Sequence, residues 1–391
     1  MSTTNATAKL TRITIAPLEY FTQGRANEVK NRLLASRWRR VLKGPLVAAL
    51  QEVGDGTMEV YADHDMPEGP SRRFLVFSGS SVCLVQCSVT LAWSITPASV
   101  GQECAARKAL HASVLQQPLA FFDGAETLLG GDAVWPVNLN YVFTYYVVES
   151  KALLAETVLN EAKILAQPSL VGMDDMLSTG TDGPVHQAAV SGEKIRTRLN
   201  AIPDIDFGEE RQVFITWESM LCIEYANRTH TFADLLLALE LRLQVTWNRC
   251  FSLSSYADSV FADRNAPRKS HIEEVYWDFA KTLYAAKEVA ASTASARVNA
   301  IFQEMSRTAA LHDQLDRLSG KLTLLSHFIQ WKRDKVNGRY QKLISMLLLL
   351  AALGAALPAF FSVPVFRDPQ VGDLVFEGAF VLGLLAITLG G

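Results

Sequence analysis

Hydrophobic and polar positions follow three rhythms along this chain, and each predicts a different element. Alternation marks a first strand at residues 11–15, and runs rich in β-branched and aromatic residues, separated by turn signals such as GDG and PEGP, mark others at 57–63, 72–78, 81–95, 137–150 and 211–225. Spacings of three and four mark helices at 25–42, where Val29, Leu33, Leu34, Trp38, Val41 and Leu42 line one face, and again at 151–166 and 231–260. Residues 167–206, with Pro168, Gly172 and the tract STGTDGPV, read as an irregular insertion with a short helix near 193–199. From Arg268 to Leu357 there is no proline, and the helical pattern of 271–283 could run unbroken toward the C-terminus. Val298, Ile301, Met305 and Thr308 step by three, four and three. After a short discontinuity Leu311, Leu315, Leu318, Leu322, Leu325 and Ile329 step by four and three, a coiled-coil seam. A helix over 284–342 would be about 88 Å long, so its apolar stripe has to be covered by other helices of the chain or by neighbouring copies, and self-association is the preferred reading.

The third rhythm is no rhythm at all. Residues 343–366 read LISMLLLLAALGAALPAFFSVPVF without a charge, and 374–391 are apolar apart from Glu377. At 1.5 Å per residue, 343–363 and 374–391 would span about 31 and 27 Å, against a hydrocarbon core of roughly 30 Å. A C-terminal transmembrane hairpin is expected. Lys332, Arg333, Lys335, Arg339 and Lys342 precede the first run, whereas the link carries Arg367, Asp368 and Asp373. The positive-inside rule then places the N-terminal part in the cytoplasm and the link outside. The expected domains are a cytoplasmic α/β or α+β domain at 1–265, stalk helices at 268–342, membrane helices at 343–366 and 374–391, and an external link at 367–373.

Composition adds little to this. A net charge of −3 over 391 residues argues against a nucleic-acid coat, and five cysteines without metal spacing suit a reduced compartment. The polar face of 25–43 is strongly basic. Arg32, Arg37, Arg39, Arg40 and Lys43 make either a solvated face or a pocket for a phosphate-bearing ligand, since guanidinium forks match phosphate oxygens. Asp63 and Asp65 fall on one face of an extended segment and could hold a hard cation such as magnesium, the alternative being a solvated turn. The sequence contains no Walker loop, G-x-G-x-x-G turn, G-x-S-x-G elbow or H-E-x-x-H helix, so no enzyme is expected.

A cytoplasmic α/β domain, a long helix entering the membrane, a short external link and a terminal span follow one another in an order that resembles the CorA-type magnesium transporter family. The resemblance implies a pentamer whose first span lines a central pore. It departs from the family at the Gly-Met-Asn tripeptide, whose place is taken by PAFFSVPVF, and in lacking the basic tail after the second span. A hydrated divalent ion needs oxygen ligands where it is selected, and the first span offers only Ser345 and Ser362. Gly354, Pro358 and Ser362 form a small-residue face for close packing or a pore lining, while Met346 and Leu350 could gate by excluding water. Asp368 and Asp373 would ring the outer mouth, with Glu377 at the interface. The altered pore resembles that of CorA-like membrane effectors of antiviral defence, which a nucleotide second messenger triggers. The expected function is therefore an oligomeric channel of the inner membrane gated by its cytoplasmic domain. The alternatives are a magnesium transporter and a membrane-anchored scaffold without transport.

Overall fold

The computed structural model describes residues 7–18, 30–31, 33–35, 38–53, 58–63, 72–77, 82–87, 90–116, 142–168, 197–206, 210–225, 231–262, 276–277, 280–281, 283–284 and 296–361. These make two compact units, Met1–Thr323 and Leu324–Gly391.

The first unit is built on a mixed sheet. Its strands are β1 (Thr7–Leu18), β2 (Trp38–Val41), β3 (Met58–Asp63), β4 (Arg72–Phe77), β5 (Val82–Cys87), β6 (Leu91–Ser94), β7 (Phe143–Ser150), β8 (Arg211–Ile215) and β9 (Ser219–Tyr225). Their order is β2-β3-β4-β5-β1-β7-β9-β8, with β6 also on β1. Pairing is antiparallel except between β7 and β9, which run parallel from Thr144↔Ser219 to Ser150↔Tyr225. The helices are α1 (Pro45–Glu52), α2 (Pro97–Gln116), α3 (Glu156–Lys163), α4 (Thr231–Ala262), α5 (Ala296–Thr308) and α6 (Leu311–Phe361), with a 3-10 turn at Ile164–Ala166.

Alternation along the central strands decides which helices cover which face. Ala8, Leu10, Tyr146, Val148, Leu221 and Ile223 pack with Val100 and Cys104 of α2, Ala162 of α3 and Leu165 of the 3-10 turn. The other face meets α4, where the Tyr145 hydroxyl donates to the carbonyl of Ala233; α4 also packs on α1, β1, β5 and β7. Both faces of the central strands are therefore covered, and Phe143–Val148 is buried without interruption.

Several elements differ from their sequence-based prediction. The helix predicted over 25–42 is helical only at residues 30, 31 and 33–35 among those described; its C-terminal part is strand β2, paired with β3 from Trp38↔Asp63 to Val41↔Val60. A ladder to a neighbouring strand satisfies the backbone at this sheet edge, and the 3.6-residue spacing of Trp38 and Val41 gives way to it. The single strand predicted at 81–95 is two, β5 and β6, and that at 211–225 is the hairpin of β8 and β9. The discontinuity between Thr308 and Leu311 is a real break: α5 ends and α6 begins around Ala310, which has a φ of 50°. The seam beyond it is covered in part within the first unit, where Leu311, Leu315 and Leu318 are buried and Leu322 half-buried. The Lys321 ammonium donates to the Ser254 carbonyl (3.0 Å) and to Asp258 (2.6 Å) of α4. Neighbouring copies are not needed to bury the first half of the stripe.

The helix α6 continues through the first apolar run as far as Phe361. Among the described residues no helix is long and apolar enough to cross a membrane. Side chains of that run are described only for 343–354, and 374–391 lies outside the described residues, so the two-span expectation rests on the sequence.

Candidate functional site

Three places bear on function: the basic sheet edge, a half-buried polar layer under α2, and the apolar end of α6. At the sheet edge, Arg39 and Arg40 stand on β2, and adjacent strand residues face opposite sides. Arg39 and Arg40 therefore do not continue the helical face predicted over 25–42. Arg39 turns back to donate from Nη1 to the Trp38 carbonyl at 2.9 Å. Arg40 lies 3.7 Å from the Glu59 carboxylate, which also receives Lys30 at 3.1 Å and the Tyr61 hydroxyl at 2.6 Å. Burial works to raise the Glu59 carboxyl. The hydrogen bonds from Tyr61 and Lys30 and the charges of Lys30 and Arg40 outweigh it and hold the group below the ordinary carboxylate value. Burial, then the bond to Glu59, pushes the Tyr61 hydroxyl up, so it donates rather than ionises. Beside this cluster is a cavity of about 160 Å³ between β2, β3 and α1, lined by Arg40, Leu42, Leu50, Gln51, Met58 and Glu59. Among its described lining residues the one guanidinium is that of Arg40, already beside the Glu59 carboxylate. Lys43 is exposed just before α1; Arg32 and Arg37 lie outside the described residues.

Asp63 closes strand β3 opposite Trp38, and Asp65 lies outside the described residues. Among the described residues no group of three His, Cys, Asp or Glu could hold a metal ion.

Sequence reasoning missed the polar layer beneath α2. Arg12 of β1 donates to Glu103 at 2.8 Å, His111 shares a 2.6 Å hydrogen bond with Thr144 of β7, and Arg107 donates to the Glu218 carbonyl at 2.9 Å. Desolvation, helped by the charges of Arg107 and Arg12, lowers His111 to about 3, so it is neutral at physiological pH. Burial pushes the Cys104 thiol up to about 12, which leaves it a poor nucleophile. These groups tie α2 to the sheet. The interacting positions 103, 107 and 111 recur every four residues in the sequence, but their polar character hides the stripe that would have announced a packed helix.

The end of α6 presents the opposite chemistry. Leu343, Ile344, Met346, Leu347, Leu348, Leu349, Leu350 and Leu353 are each between 41 and 65 % exposed. At 100° per residue these positions cover every side of the helix. Directly before them lies the basic flank, with Lys332 over the ring of Phe328 (5.1 Å) and Lys335 over that of Trp331 (5.0 Å), and with Tyr340 exposed. Of the predicted pore residues, Met346, Leu350 and Gly354 lie on this helix. Pro358 lies on its last turns, and Ser362, Asp368, Asp373 and Glu377 lie outside the described residues. A Cβ added at Gly354 would meet nothing within 4 Å.

No protein-family model, curated protein or solved structure matches this chain.

Proposed function

We propose that this chain is a homo-oligomeric membrane channel of the CorA-like kind, anchored by two C-terminal spans and opened by an event in its N-terminal α/β domain. The observation that supports it most is the apolar surface of α6 between Leu343 and Leu353, uncovered on all sides. A helix that is apolar all round needs a protein core or lipid as its surroundings, and nothing in the described chain supplies a core there. The lysines, arginines and tyrosine just before it are the residue types that anchor a helix at the headgroup level on the cytoplasmic side. Met346 and Leu350, one turn apart, form the apolar gate of this reading. The trigger is a phosphate-bearing ligand, such as a nucleotide second messenger, bound at the β2–β3 edge beside Arg40. There Glu59 holds Lys30 and Arg40 in place, and a phosphate competes with it for both cations.

Reconstitution tests this directly. The chain is expected to resist alkaline extraction from membranes and, purified and reconstituted in liposomes, to release an entrapped dye when nucleotide ligands are added. Extraction into the aqueous phase refutes the spans. Stable insertion with no flux under any ligand refutes the channel and leaves a membrane-anchored scaffold. Glu59→Gln, which releases both cations, is expected to strengthen nucleotide binding about tenfold, and Arg40→Ala to weaken it by a similar factor.

A further inference from the structure

Directly before its apolar run, α6 carries a basic stripe. Lys332, Lys335, Arg339 and Lys342 step by three, four and three within one continuous helix. At 100° per residue they fall within an arc of about 80°, which also holds Phe328 and is bordered by Trp331. Between Phe328 and Phe366 the one acidic residue is Asp334, which stands about 120° from the middle of that arc. Lys335, Arg339 and Lys342 are exposed and Lys332 is half-buried. Among the described residues, Lys335, Arg339 and Lys342 enter no ion pair.

The upper half of the stripe is ordered by aromatic rings. Phe328 and Trp331 stack with centroids 5.9 Å apart; Lys332 lies over the first ring at 5.1 Å and Lys335 over the second at 5.0 Å. A ring leaves the charge of a cation in place while holding its long stem against the helix.

A second copy is a poor occupant for this face. Continued past Ile329, the four-and-three steps of the leucine seam fall on Lys332, Val336 and Arg339, so a neighbour in the same register would bring like charges together. Position along the helix selects an anion instead. Lys342 adjoins Leu343, and Arg339, Lys335 and Lys332 stand about 6, 12 and 16 Å before it. A headgroup layer is about 5–8 Å thick, and the field of an anionic surface reaches about 8–10 Å beyond it. We propose that, with α6 entering the bilayer as in the reading above, the stripe of Lys332, Lys335, Arg339 and Lys342 binds the headgroups of anionic phospholipids in the leaflet that Leu343 enters. Arg339 and Lys342 meet the phosphates, the guanidinium fork matching two oxygens, and the two lysines above add to the attraction.

The experiment takes the purified full-length chain in an uncharged detergent and titrates dioctanoyl phosphatidylglycerol, with dioctanoyl phosphatidylcholine and glycerol phosphate as separate arms. Phosphatidylglycerol is expected to bind about tenfold tighter than either, and less tightly as salt is raised. Arg339→Gln and Lys342→Gln, at exposed positions, each weaken it about fivefold. Arg333→Gln removes the same charge about 140° from the middle of the arc and leaves binding nearly unchanged. Equal binding of phosphatidylcholine would overturn the proposal, as would a loss in Arg333→Gln matching that in Arg339→Gln. Glycerol phosphate binding as tightly as the lipid would assign the stripe to a free phosphate and overturn it too. So would loss of the oligomer in Arg339→Gln without any lipid preference, which would give the face to a neighbouring copy. The titration needs neither insertion nor flux, so its failure is distinct from failure of the extraction and dye-release tests.

Discussion

Glu240 offers the sharpest test of the packing between α4 and the sheet. Its side chain is fully buried, one carboxylate oxygen accepts from Gln244, and the other has no hydrogen-bond partner. Arg242, two residues on, donates to the Val53 carbonyl. Burial pushes the Glu240 carboxyl from 4.5 up to about 7, the Gln244 hydrogen bond pulling the other way without prevailing. A carboxyl whose folded value lies above its unfolded one is protonated in the folded chain while the unfolded chain is ionised. Folding therefore takes up a proton between about pH 4.5 and 7, and stability falls as pH rises through that window. At about 1.4 kcal/mol per pH unit, the gap amounts to about 3 kcal/mol. Glu240→Gln keeps the shape and removes the ionisation. Near pH 5 the variant and the natural chain should melt together; near pH 8.5 the variant should melt higher by roughly 6–12 °C, from about 2–4 °C per kcal/mol for a unit of this size. Differential scanning calorimetry of both proteins across that range, compared pairwise at each pH, cancels the titration of every other group. A melting difference that does not change with pH would refute the reasoning, because it would mean that the carboxyl is already ionised in the fold or finds a partner when it ionises.

Three further outcomes follow from particular residues. Ala310→Gly should raise stability by about 1 kcal/mol in denaturant titration, since its left-handed φ of 50° costs a Cβ-bearing residue about that much and the site is exposed. Ser219→Ala removes the donor to two buried carbonyls and should destabilise the β8–β9 hairpin by about 1–3 kcal/mol, seen as faster amide exchange at Thr216–Ser219. Leu348→Arg places a charge among the uncovered apolar residues of α6. Membrane retention should fall markedly, in keeping with a cost of about 2.5–3.5 kcal/mol at mid-bilayer, whereas a helix destined for water would become more soluble with no loss of function.

How far the sequence foretold this protein depended on whether an element's environment is written in its own residues. The central strand at Phe143–Ser150 and helix α4 were legible because burial on one or both faces demands apolar residues at local, regular spacing. The break before Leu311 was legible as a lapse in the heptad. The apolar run from Leu343 was legible as the continuation of a helix, because no proline interrupts it before Pro358.

The sheet edge was not legible. Trp38 and Val41 suit a helix as well as a strand, and only β3, offering a backbone ladder from twenty residues further on, made them a strand. That one decision took Arg39 and Arg40 off the predicted helical face and left Arg40 beside Glu59. Helix α2 escaped notice because it packs through Glu103, Arg107 and His111, groups that read as solvent-facing until the sheet provides Arg12, Thr144 and the Glu218 carbonyl. Local periodicity fixes which faces are greasy, whereas the partners of each polar group are chosen by contacts distant in sequence.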